Sequence, residues 1–92
     1  MNKCLRITLL IKMQDGILED FIQKNAKKFS IEGTVQAVDK QTIKIVACGA
    51  NDNIDKFVDA IYKGYKDEKP TVIEVEPFLK DKEYRGVFRL IE

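Results

Sequence analysis

The segment KMQDGILEDFIQKNAKKFSIEGTVQA, Lys12 to Ala37, holds a strand end, a short loop, an amphipathic helix and a strand start in one unbroken run. Ahead of it, Leu5, Ile7, Leu9, Ile11 and Met13 alternate with Cys4, Arg6, Thr8, Leu10 and Lys12. This is the period-two pattern of a strand with one buried face, and parity assigns the odd-numbered side chains to the core. Gln14, Asp15 and Gly16 form the loop. Ile17, Leu18, Phe21, Ile22, Ala26 and Phe29 then recur at helical spacing, with Asp15 as candidate N-cap. Glu19 and Asp20 near the start and Lys24, Lys27 and Lys28 near the end suit the helix dipole. The three lysines read as a solvated helix face.

Outward from this segment, a second strand runs from Glu32 to Val38 and Asp39-Lys40 makes a turn. A third strand sets Ile43, Ile45 and Ala47 on one side and Lys44, Val46 and Cys48 on the other. Asn51 is the candidate cap of a second helix striped by Ile54, Phe57, Val58 and Ile61, with Gly64 just past its end. Two last strands, Thr71 to Glu76 and Tyr84 to Ile91, follow a charged loop punctuated by Pro70. The order βαββαβ, with the last β split in two, predicts an α+β, ferredoxin-like sandwich: an antiparallel sheet with both helices on one face.

A chain of 92 residues has room for one core, so residues 1–92 are expected to form a single domain. Sixteen basic residues against fifteen acidic ones leave a formal charge of +1, so no chain-wide field attracts nucleic acid or an anionic membrane. The longest apolar run, Leu9-Leu10-Ile11, is too short for a bilayer, and a cytoplasmic location is expected. There is no histidine, and Cys4 and Cys48 lack any metal-site spacing, which argues against zinc chemistry and Cys-His catalysis; neither metal nor cofactor is expected.

A strand-to-helix loop presents free backbone N–H groups and the positive end of a dipole, so Gln14, Asp15, Gly16, Ile17 and Leu18 are the candidate anion loop. Here the chain resembles the acylphosphatases, small ferredoxin-like enzymes that hydrolyse the carboxyl-phosphate bond of acyl phosphates. Their signature is a Val-Gln-Gly-Val-Gly-Phe-Arg loop, an Ala two helical turns later, and a Gly-Trp-Val-x-Asn strand beyond. Anchored on Ala26, the register places Gln14 on the signature Gln, Leu18 on its Phe and Glu19 on its Arg, without a gap. Gly33-Thr34-Val35 falls on Gly-Trp-Val and Ala37 on the Asn. Ile43 to Gly49 is similar to the family's third strand, and Tyr84 to Leu90 to its last, so the resemblance covers nearly the whole chain as a frame.

In that family the Arg and the loop amides hold the phosphate and the Asn positions the attacking water, so catalysis is orientation plus electrostatics. Both positions are changed here. A unit charge about 4 Å from the phosphate is worth about 4 kcal/mol at an effective dielectric of about 20, so a reversed sign turns attraction into comparable repulsion. Ala37 has no hydrogen-bonding side chain, and Asp15 and Ile17 replace two loop glycines. Glu19 in a first helical turn has a structural rationale as a fixed anion on the dipole, and Lys12, Lys24 and Lys40 are weak substitutes for an Arg fork.

The resemblance therefore implies an acylphosphatase-like protein without catalysis, acting as a binding or interaction module for a small anionic ligand or a protein. The alternative is an altered hydrolase with a site rebuilt around Gln14, Gly16 and a lysine. Pairing Ile7 with Ile45 sets Cys4 opposite Cys48, and some bacterial acylphosphatases are similar in carrying Cys at both places, so a cross-strand disulfide is one expectation and two free thiols, favoured by a reducing cytosol, the other. The other sheet face carries Leu10, Val46, Val87 and Ile91 among Arg6, Lys44, Arg85 and Arg89. A monomer is expected, with a sheet-face dimer as the alternative. RNA is disfavoured because the third strand offers no aromatic ring for stacking.

Overall fold

The odd-numbered side chains Ile7, Leu9 and Ile11 are buried, as their alternation predicts, and they face the helices. The computed structural model describes residues 2–77 and 87–91. Its strands are β1 (Asn2–Leu10), β2 (Glu32–Ala37), β3 (Thr42–Ala50), β4 (Val72–Pro77) and β5 (Phe88–Ile91). The first helix, α1, winds as a π-helix over Ile17–Gln23 and as an α-helix over Lys24–Lys28; the second, α2, spans Asn51–Lys63. Tyr84, Arg85 and Gly86 of the expected last strand lie outside the described residues.

The sheet has the order β4-β1-β3-β2-β5. β1 pairs antiparallel with β3 and β4, and β2 antiparallel with β3, in the register that sets Ile7 opposite Ile45. The architecture is the ferredoxin-like α+β sandwich, with one pairing that departs from an all-antiparallel sheet: β5 runs parallel to β2. Topology supplies the reason. β1 and β2 are both antiparallel to β3 and so parallel to each other, β4 opposes them, and a chain that reverses once more after β4 arrives at the far edge parallel to β2.

Between sheet and helices lies one apolar core in which Val35, Ile43, Ile45 and Ala47 meet Ile17, Phe21, Ile22, Ile54, Phe57 and Ile61. Each fully buried aliphatic or aromatic side chain contributes roughly 1.5–3 kcal/mol of transfer free energy. Among the described residues no polar or charged side chain is buried. The fold is thus held without help from the loop's charged groups.

Both expected caps differ. Gly16, not Asp15, is the N-cap of α1, and Ala50, not Asn51, is that of α2, neither with a side-chain cap bond. Gly16 takes the left-handed turn that lets Ile17 drop into the core at the first helical position, and Asn51 is drawn inside the helix. The β2–β3 turn closes as expected: the Gln41 N–H donates to Asp39 Oδ1 at 2.9 Å. That bond, with help from Thr42, holds the Asp39 carboxyl below its ordinary range.

Candidate anion-binding loop

Gly16 adopts φ 79°, a left-handed conformation that a residue with a Cβ enters only at a cost. The turn it makes is closed by the chain itself. The Ile17 N–H donates to the Gln14 carbonyl at 3.1 Å, and the Asp20 N–H to the Gly16 carbonyl at 2.6 Å. Two amides at the mouth of the loop are therefore taken by the loop's own carbonyls.

Side chains pin the loop from two directions. Ile17 is buried and Leu18 packs half-buried against the core, so both serve as anchors. Gln14 Nε2 donates to the Tyr65 carbonyl at 3.3 Å, tying the loop to the segment that follows α2. The Tyr65 ring stacks on Phe21 with centroids 5.5 Å apart and planes 21° from parallel.

Asp15, Glu19 and Asp20 are all exposed, so the mouth of the loop carries three carboxylates. The Asp20 carboxylate lies against the loop backbone, since a Cβ built on Gly16 would stand 2.7 Å from its Oδ2. Ala37 is exposed at the end of β2, opposite Ile43. Lys12, Lys24 and Lys40 are exposed and form no ion pair with a described carboxylate. The site so assembled is acidic, and its turn is occupied from within.

The contacts of Tyr65 and Asp20 with the loop are not given by sequence pattern. Tyr65 follows the Gly64 cap directly, and that position next to a helix end was the available signal. For Asp20 the sequence suggests a dipole partner, a cap or a solvated charge. Its carboxylate lies against Gly16, an approach no local pattern announces. At the opposite end of β1, Cys4 faces Cys48 of the neighbouring β3, with Cα atoms 4.1 Å apart and the sulfurs joined. Among the described residues no cluster of His, Cys, Asp and Glu could hold a metal, and no helix is long and apolar enough to cross a membrane.

A ferredoxin-like α+β domain whose first strand-to-helix turn forms a candidate anion loop is the class of protein these features define. The acylphosphatase family model matches residues 12–89, and the chain belongs to that family. It is 44% identical to the acylphosphatase of Listeria monocytogenes serotype 4b (strain F2365) over 39 residues, a stretch spanning 42% of either chain. The crystal structure of acylphosphatase from Bacillus subtilis superposes with a TM-score of 0.85 at 25% identity, covering 100% of both chains. An acylphosphatase structure from Coxiella burnetii gives 0.85 at 21% identity, covering 98% of this chain and 93% of that one.

Proposed function

We propose that this member of the acylphosphatase family does not hydrolyse acyl phosphates and serves as a monomeric, cytoplasmic binding or interaction module. One observation carries the reading. Glu19 and Ala37, both exposed, occupy the positions matched to the phosphate-holding Arg and the water-positioning Asn. The carboxylates of Asp15 and Asp20 join Glu19 at the mouth of the same loop. A like charge about 4 Å from a phosphate costs on the order of 4 kcal/mol at an effective dielectric of about 20, less where water screens it. Among the described residues of the loop, Gln14 to Leu18, none carries a positive charge to offset that cost, and Ala37 has no polar side chain with which to orient the attacking water.

The test is hydrolysis of acetyl phosphate by the wild type beside the double variant E19R/A37N. The wild type is expected to match the uncatalysed rate. Turnover gained only by the double variant supports the reading; clear turnover by the wild type overturns it and restores a hydrolase rebuilt around Gln14 and Gly16.

A further inference from the structure

On the outer side of the helical layer, α1, α2 and the turn after α2 enclose an open groove of about 470 Å³, within the range of ligand-binding clefts. Three aromatic residues line it, the half-buried Phe29 and Tyr65 and the buried Phe21. Lys28, Lys56, Lys63 and Lys66 line it, and all four are exposed. Two carboxylates, Asp20 and Asp59, also line the groove, and none of the four ammonium groups forms an ion pair with a described carboxylate. The chain as a whole is nearly neutral, so this excess of positive charge is local.

The rings tell what kind of anion fits. Tyr65 has Phe21 stacked on its ring and the Lys66 ammonium 5.1 Å from its centroid, while Lys28 stands 5.3 Å from the centroid of Phe29. A group of the protein therefore already stands over a face of each of these rings, which leaves less open ring face for a nucleotide base. What remains is apolar ring surface flanked by flexible cations. That suits a segment whose apolar side chains lie on these rings while its carboxylates reach the rim, the helix-in-groove mode of peptide recognition.

We propose that this groove docks an acidic amphipathic segment of a partner protein. The proposal gives the binding module described above its partner class and rests on that reading. Occupancy is governed by charge and weakens with salt, because exposed lysines act through a screened field. The loop Gln14 to Leu18 takes no part in it.

The probe is a fluorescein-labelled amphipathic helical peptide of Glu and Leu, with a Lys/Leu peptide of the same pattern and ADP as comparisons, followed by anisotropy and by amide shifts of the full chain. Saturable binding of the Glu/Leu peptide is expected, with shifts at Lys56, Lys63 and Tyr65. Binding is expected to weaken at least tenfold in K28E/K56E and less in K28Q/K56Q, and to stay unchanged in K40E/K44E. Circular dichroism establishes that each variant is folded. No binding at millimolar peptide, equal binding of the Lys/Leu peptide, tighter binding of ADP at the same residues, or indifference to K28E/K56E overturns the proposal. Acetyl phosphate hydrolysis by the same preparation separates the failures. A peptide that does not bind a hydrolytically silent protein sinks the groove alone, whereas turnover sinks the non-catalytic reading and, with it, this one.

Discussion

Gly33 shows how one residue constrains the pairing of two strands. Its φ is 140°, and a Cβ built there would stand 1.8 Å from the Val46 carbonyl oxygen, which is backbone of the neighbouring strand and cannot swing away. Gly33→Ala is therefore expected to destabilise the fold by at least about 2 kcal/mol, through backbone strain and a forced separation of β2 from β3. Urea denaturation reads the change; a midpoint equal to that of the wild type would show that the strands relax freely. Glu19 and Ala37, by contrast, are exposed and lie outside the apolar core. Exchanging them tests chemistry without disturbing the fold, which is why the double variant E19R/A37N is interpretable.

At the scale of elements, the ending of α1 explains what a pattern can and cannot announce. The Ile31 N–H reaches the Ala26 carbonyl at 2.8 Å and the Ser30 N–H the Lys27 carbonyl at 3.2 Å, the paired bonds of a Schellman stop. That motif calls for a left-handed residue, and Ser30 fills it at φ 56° where glycine would be free. Ser30→Gly is expected to stabilise the protein by about 0.5–1 kcal/mol, the left-handed cost removed less the added entropy of the unfolded glycine. A lower thermal midpoint for the variant would contradict this. Side-chain periodicity made β1, α1, β3 and α2 legible, because burial selects apolar residues at period 2 or 3.6 whatever the caps do. It could not give Gly16 and Ala50 as caps, nor the π-helical start of α1. The start of α1 goes with the burial of Ile17 and with the bond from Gln14 to the Tyr65 carbonyl, a contact remote in sequence.

For the molecule as a whole, the same division holds between frame and site. The register of β1 on β3 is readable from alternation plus one assumed pairing, and it brings Cys4 and Cys48 together near one end of these two strands. The parallel placement of β5 was not readable, since nothing in a strand's own residues says which sheet edge it will reach. The cystine joins the two central strands, and a link across 44 residues of chain removes entropy mainly from the unfolded state. Reduction, or the double variant C4A/C48A, is therefore expected to lower stability by about 2–4 kcal/mol while leaving the sheet and helices in place, because the apolar core between sheet and helices buries no charge among the described residues. Cys48 is buried and Cys4 only half-buried, so reduction should begin slowly and from the Cys4 side. Alkylation followed by mass measurement counts free thiols with and without reductant, and urea midpoints read the stability change. Two free thiols in protein purified without reductant, or coincident unfolding curves for wild type and C4A/C48A, would rule out a stabilising link; a separation of the curves that disappears on reduction is the expected outcome.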